Sequence, residues 1–132
     1  MTYEERLNIF IDSFDKGNTG FLDSLEKEAL EKHVPVIRRE TQKLLRTLLT
    51  LQKPMNILEV GTAVGFSTLL MCEYGPEGLH ITTIENDEER VLEAEKNIRE
   101  AGRQEQITLL ADRKSTRLNS SHPLSSRMPS SA

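Results

Sequence analysis

The chain has little of what marks secreted, membrane or nucleic-acid-binding proteins. Its single cysteine, Cys72, excludes an internal disulfide framework and is typical of a reducing cytoplasm. No apolar run approaches the ~18–20 residues of a membrane-spanning helix, and the first residues lack the pattern of a signal peptide. Acidic residues outnumber basic ones by 21 to 17, which disfavours an electrostatic nucleic-acid module. The 132 residues leave room for one domain at most.

The composition changes abruptly near residue 112. Serine occurs three times in residues 1–111 and seven times in residues 112–132, where glutamate is absent. The last 21 residues carry four basic side chains and one acidic, so the first 111 hold a net charge of −7. Residues 112–122 and 126–132 match one translated reading frame of a common short-read sequencing adapter, with an index-sized gap between them. We therefore expect 112–132 to be an artefactual, unstructured tail rather than a basic partner-binding tail, and 1–111 to be the front of a longer protein.

Residues 1–53 predict a helical segment. Apolar residues recur at helical spacing in residues 3–14, 21–33 and 38–52, which predicts three amphipathic helices. The second helix has Leu22, Leu25 and Ala29 as its inward positions. A leucine-rich side of the third helix is typical of a core or of a partner-helix surface, and it comprises Ile37, Thr41, Leu44, Leu45, Leu48 and Leu49.

Residues 54–111 predict a partial α/β domain. Three strands are expected at residues 56–60, 80–84 and 106–110, with a helix in each interval. Asn86 and Glu89 resemble a capping box at the start of the second of these helices, and Gly102 suits its C-terminal end. Alternating strands and helices with short connections predict right-handed βαβ units and a parallel sheet, one half of a doubly wound fold.

The candidate ligand-binding features are the turn after the first strand, Gly61-Thr-Ala-Val-Gly65, and the acid that ends the second strand, Glu85. Glycines let a ligand approach the backbone, and the N-terminus of the next helix offers free N–H groups. Glu85 follows Gly61 by 24 positions, close to the ~20-residue offset at which an acid accepts hydrogen bonds from ribose hydroxyls. The spacing differs from the G-x-G-x-x-G of dinucleotide binders, which weakens a pyrophosphate-binding interpretation.

Residues 57–67, Ile-Leu-Glu-Val-Gly-Thr-Ala-Val-Gly-Phe-Ser, resemble the first motif of class I S-adenosylmethionine-dependent methyltransferases. They are most similar to the metal-dependent O-methyltransferases that include the catechol and caffeoyl-CoA enzymes, and residues 81–85 resemble that family's second motif. Residues 17–22, 34–37 and 40–44 resemble the bacterial branch that methylates 5-hydroxyuridine in tRNA. The resemblance implies a Rossmann-like fold and methyl transfer from S-adenosyl-L-methionine to a hydroxyl acceptor, either 5-hydroxyuridine in tRNA or a small catechol-like molecule.

The resemblance also implies which residues bind the cofactor. Glu85 is expected to accept two hydrogen bonds from the ribose hydroxyls, which are the stronger, charge-assisted kind. Gly61 and Thr62 are expected to bring their backbone against the methionine moiety. Ser67 is expected to hydrogen-bond the amino-acid end of the cofactor.

Two further cofactor residues follow from the same resemblance. Glu59 is expected to hold the loop, or to bind the cofactor ammonium through water. Ile37 is expected to close over the site by backbone contact, although its position also suits a core residue. Cys72, by contrast, is expected to be a small buried apolar group.

No catalytic residue and no metal ligand is expected within this chain. In the resembled family a divalent metal, Mg²⁺, is held by residues beyond the third strand, so the chain is expected to be inactive although its family is enzymatic. The single cysteine favours a cytoplasmic location, and the resemblance implies a homodimer when the protein is intact. Two alternatives stay open: a NAD-dependent Rossmann oxidoreductase, which the missing third glycine disfavours, and a non-enzymatic interaction module formed by the three leading helices.

Overall fold

The computed structural model describes residues 1–112, and the remainder of the predicted tail lies outside the described residues. Three helices come first: α1 (Tyr3–Asp12), α2 (Gly20–Glu31) and α3 (Arg39–Gln52). Strands and helices then alternate as β1 (Asn56–Val60), α4 (Phe66–Tyr74), β2 (His80–Glu85), α5 (Glu88–Glu100) and β3 (Ile107–Ala111). The predicted α/β class and order of elements are confirmed.

The three strands form one parallel sheet in the order β1-β2-β3. In the register of the first pair, Asn56 lies opposite His80 and Val60 lies opposite Ile84. The carboxyl ends of β1 and β2 therefore lie side by side. This pairing brings the loop that follows β1 next to Glu85, the last residue of β2.

Helices α2 and α3 share one hydrophobic core with the α/β segment. Leu22, Leu25 and Ala29 of α2 are buried, which confirms the predicted inward face, and α2 and α3 both pack on α4. The predicted boundary at residues 53 and 54 therefore separates two kinds of local structure that pack as one unit. No described feature tests that boundary as a domain limit, so it stays a prediction.

The leucine-rich face of α3, predicted to be core or a partner-helix surface, is only partly buried. On α3, Gln42 and Leu49 are buried, and Leu45 between them is half-buried. Leu44 and Leu48, in contrast, are 59% and 45% exposed. These two leucines lie to one side of the contact with α4. None of the residues of α1 is buried, so its apolar side chains are also exposed in the described part of the chain.

The start of α5 differs from the prediction. Asp87, rather than Asn86, is the N-cap, and its carboxylate accepts the backbone N–H groups of Glu89 at 3.0 Å and Arg90 at 3.2 Å. The capping box expected from Asn86 was wrong because the backbone N–H of Asn86 donates to Glu85 instead. At the other end, Gly102 adopts the left-handed conformation expected of it, with φ +70°.

Candidate cofactor site

The loop between β1 and α4 presents open backbone at its first residue. Gly61 has φ +95°, and no atom lies within 4 Å of the position where a Cβ would stand. Its N–H donates to the carbonyl of Ile84 at 2.8 Å, so the loop is fastened to the end of β2. A ligand can therefore approach the backbone of Gly61 from a side that any other residue would partly fill.

The carboxylate of Glu85 is buried at the end of β2, with 8% of the residue exposed. Oε1 accepts the N–H of Ala63 at 2.8 Å, and Oε2 accepts the N–H groups of Asn86 and Asp87, both at 3.0 Å. A carboxylate has about four acceptor positions, so by this count one is left, on Oε1. Two ribose hydroxyls require one of the N–H bonds to be shared or to lengthen.

Ala63 occupies an unusual conformation for a residue with a side chain. Its φ of +49° lies in the left-handed region, which non-glycine residues rarely adopt. The hydrogen bond from its N–H to Glu85 holds it there. The loop and the acid are thus hydrogen-bonded to each other, a contact that was not predicted from the sequence.

Glu59 on β1 accepts three side-chain hydroxyls. Ser67 and Thr68, at the start of α4, both donate to it, Ser67 at 2.5 Å, and Thr83 of β2 donates at 2.8 Å. Glu59 therefore ties together the elements that surround the loop, as one of its two expected roles requires. The Ser67 hydroxyl has its proton directed to Glu59, which leaves its oxygen free to accept a bond from a ligand ammonium.

A buried pair of threonines links the loop to β2. Thr62 is 1% exposed, Thr83 is fully buried, and their hydroxyl oxygens are 2.6 Å apart. Neither hydroxyl contact was predicted from the sequence. The available signal was a polar residue at an inward-facing position of β2, between the buried residues Ile81 and Glu85.

Ile37 is placed apart from this network. It is half-buried in the segment between α2 and α3 and packs against the core. Its carbonyl accepts a hydrogen bond from Gln42 at 2.9 Å, and Gln42 also donates to Glu26 at 2.6 Å. The structure thus brings five of the six expected cofactor residues together, and the role of Ile37 stays a prediction.

A cavity of about 150 Å³ adjoins Glu85. Its wall combines carboxylates with apolar side chains: Glu85, Asn86, Glu88, Val91, Leu92, Glu95, Ala111 and Asp112. Within residues 1–112 no group of three or more His, Cys, Asp or Glu side chains could hold a metal ion. The resemblance places the metal ligands beyond the third strand, so the metal stays a prediction.

The O-methyltransferase family model matches residues 13–121, which is most of the chain. The chain belongs to the O-methyltransferase family. The match includes the ten residues after Ala111, part of the segment expected to be adapter-derived. The adapter origin, the truncation and the tRNA-modifying branch stay predictions.

Two curated O-methyltransferases are similar to part of the chain. The transmembrane O-methyltransferase homolog of Mus musculus is 40% identical over 68 residues, which are 52% of this chain and 26% of that protein. The catechol O-methyltransferase of Niastella koreensis is 37% identical over 67 residues, 51% of this chain and 30% of that protein. The chain thus matches less than a third of each relative's length. No helix within residues 1–112 has the length and apolar character to cross a membrane.

Solved structures show the same fold. The O-methyltransferase TomG from Streptomyces achromogenes, determined in complex with S-adenosylmethionine, superposes with a TM-score of 0.71 at 23% identity. The superposition covers 90% of this chain and 56% of that one. At this identity the likeness shows the Rossmann-like methyltransferase fold, which confirms the predicted fold class.

Proposed function

We propose that this O-methyltransferase chain binds S-adenosyl-L-methionine at the carboxyl ends of β1 and β2, and that its protein transfers a methyl group to a hydroxyl acceptor. The observation that carries the proposal is the buried carboxylate of Glu85 beside the open backbone of Gly61. A buried acid at this position suits ribose hydroxyls, one on the open acceptor position and a second if an N–H bond lengthens, and open glycine backbone suits close approach by a ligand.

Each residue of the site contacts or supports a particular part of the cofactor. Glu85 accepts the ribose hydroxyls, and the backbone of Gly61 and Thr62 lies against the methionine moiety. Glu59 holds Ser67, whose free lone pairs receive the cofactor ammonium. The cofactor, when bound, supplies a methyl group activated by a positively charged sulfur.

Ligand selectivity tests the proposal against a NAD-dependent oxidoreductase. Calorimetric titration of the 132-residue chain with S-adenosylmethionine, S-adenosylhomocysteine and NAD⁺ should give binding of the first two and none of the third. Glu85→Ala should lose much of the affinity for both, whereas Glu105→Ala, which removes an exposed acid before β3, is the matched control and should bind like the wild type. Binding of NAD⁺ in preference to the methyl donor would overturn the proposal.

The acceptor is proposed to be either 5-hydroxyuridine in tRNA or a small catechol-like molecule, with a divalent metal such as Mg²⁺ and a cytoplasmic location. The net charge of −7 over residues 1–111 favours the smaller acceptor, because a polyanion is repelled. Labelled methyl donor with Mg²⁺ and each acceptor in turn is the assay. Turnover with one of them would identify the acceptor and contradict the expectation that this chain is inactive.

A homodimer of the intact protein is also proposed, supported by exposed apolar side chains in α1 and in the turn that follows it. Phe10 and Phe14 are 60% and 71% exposed and stack edge to face with ring centres 5.0 Å apart. Such a pair suits burial against a second copy of the chain. Phe10→Lys should lower the molar mass measured by light scattering, and an unchanged mass would reject this surface.

A further inference from the structure

The hydroxyls of Thr62 and Thr83 form a short hydrogen-bonded chain that ends on Glu59. Thr83 Oγ1 donates to Glu59 Oε1 at 2.8 Å, and Thr62 Oγ1 lies 2.6 Å from Thr83 Oγ1. We propose that Thr83 is a positioning residue for the cofactor loop, because its hydroxyl couples Thr62 in the loop to Glu59 on β1. The proposal rests on the proposed cofactor site and adds a residue that does not itself touch the ligand.

The direction of the chain follows from counting protons. A hydroxyl has one proton, and Thr83 directs its proton to the carboxylate of Glu59. Thr62 must therefore be the donor in the contact between the two threonines. The Thr62 hydroxyl therefore donates in one direction only, and its side-chain rotamer is fixed by a partner on β2.

This restraint acts on the part of the loop that lies over the site. The N–H groups of Gly61 and Thr62 both point to the carbonyl of Ile84, at 2.8 and 3.3 Å, and the next N–H binds Glu85. A change in the Thr62 rotamer would disturb these three bonds together. The hydroxyl chain thus presets the backbone that the cofactor meets, which saves the ordering cost on binding.

Burial explains why an aliphatic residue is not equivalent at position 83. Thr83 is fully buried and Thr62 nearly so, and in the described residues no buried polar side-chain atom lacks a partner. Removing the Thr83 hydroxyl leaves the Thr62 proton without its acceptor in a place that water does not reach. A buried donor without a partner is costly, and rotation of Thr62 is the cheapest way to relieve it.

The test compares Thr83→Val, which keeps the shape and removes the hydroxyl, with Thr83→Ser, which keeps the hydroxyl. Thr82→Val is the matched control, since Thr82 is the preceding residue of the same strand and points to the opposite face. Affinity for S-adenosylhomocysteine should fall roughly tenfold in Thr83→Val, and return to within about twofold of the wild type in Thr83→Ser. Thr82→Val should bind like the wild type.

Amide hydrogen exchange in the unligated chain provides a readout that does not depend on the cofactor. The N–H groups of Gly61 and Ala63 should exchange at least severalfold faster in Thr83→Val than in Thr82→Val, whereas the core amides of α4 should not. If the wild-type chain failed to bind S-adenosylhomocysteine, the proposed function would fail, and the exchange comparison would still decide the coupling. Unchanged exchange at the loop in Thr83→Val would overturn the proposal.

A double substitution separates coupling from independent packing effects. If the two threonines act as one chain, Thr62→Val with Thr83→Val should alter loop exchange no more than the worse single variant does. Additive effects would overturn the proposal. If the Val variants do not fold, Thr83→Cys replaces Thr83→Val, because a thiol is a weaker donor and acceptor than a hydroxyl; the loop amides should then exchange faster in Thr83→Cys than in Thr83→Ser, and equal exchange would overturn the proposal.

Discussion

At the scale of single residues, Glu85 is the most informative position of the site. Its carboxylate is proposed to bind the ribose hydroxyls, and hydrogen bonds to a charged group are worth about 1.5–3 kcal/mol. Glu85→Ala should therefore weaken binding of S-adenosylmethionine by about 2–3 kcal/mol, roughly 30- to 150-fold, in calorimetry. Because Glu85 also holds the N–H of Ala63, the variant needs an unfolding curve beside its binding curve. Unchanged affinity in a folded variant would reject the role.

A second prediction at this scale concerns the reactivity of the Cys72 thiol. Burial raises the pKa of its thiol to about 11, and Arg103 only partly opposes this. At pH 8 about one thiol in a thousand is then ionised, and the thiolate is the reactive form. The native chain should react very slowly with Ellman's reagent, and the denatured chain should react at once. Rapid stoichiometric labelling of the native chain would show that Cys72 is accessible.

At the scale of elements, the N-cap of α5 can be tested by two adjacent substitutions. Asp87→Ala removes the acceptor for the N–H groups of Glu89 and Arg90, and loss of an N-cap costs about 0.5–2 kcal/mol. Asn86→Ala is the control, because Asn86 contributes its backbone N–H to Glu85 and keeps it in the variant. Urea unfolding should show the larger loss for Asp87→Ala. A larger loss of stability in Asn86→Ala than in Asp87→Ala would show that Asn86 is the N-cap after all.

In the loop between α1 and α2, Asp15 is expected to make the free energy of unfolding depend on pH. Burial alone would raise the pKa of Asp15, but the N–H of Gly17 and the charges of Arg46 and Lys43 together lower it below its usual 3.8. The ionised form is thus favoured by folding, so its contribution is present above pH 3.8 and is lost as the pH falls through the lowered value. Asp15→Asn should make the free energy of unfolding fall less steeply below pH 4. An equally steep fall would assign the acid sensitivity to other groups.

The sequence predicts elements better than it predicts contacts. The bounds of β1 and α4 were predicted correctly, because Pro54, Gly61, Gly65 and Gly75 bracket short apolar runs that only one local structure satisfies. The hydroxyls around Glu59 could not be predicted, because they come from α4 and β2 and reach Glu59 on β1 only when the parallel register is set. The cap of α5 was missed for a related reason, since Glu85 of β2 competes for Asn86.

At the scale of the whole molecule, the two faces of the sheet differ. Both crossovers step in one direction, so right-handed connections place α4 and α5 on the same face. In the described residues the other face exposes Leu58, Val60 and Leu110, at 67%, 80% and 47%. Parallel sheets are normally covered on both faces, and uncovered apolar strands associate.

We therefore expect the 132-residue chain to form assemblies larger than a dimer. The double variant Leu58→Lys with Val60→Lys should reduce them in sedimentation velocity, because the added charges disfavour burial of this face. Leu30→Lys, at a 58% exposed leucine of α2, is the control and should have little effect. A wild-type chain that sediments as a single small species at tens of micromolar would contradict the prediction.

The binding of S-adenosylmethionine where β1 and β2 end is tested most directly by mapping amide shifts in a ¹⁵N-labelled chain during titration with this cofactor, using the Leu58→Lys, Val60→Lys variant to limit association. The largest shifts should fall at residues 61–67 and 85–87, which surround the open backbone of Gly61 and the buried carboxylate of Glu85. Amides of α2 and of the turn before β3 should stay unchanged at the same cofactor concentrations. Saturating shifts confined to those two stretches are the predicted result, and their absence, or shifts centred elsewhere, would contradict it.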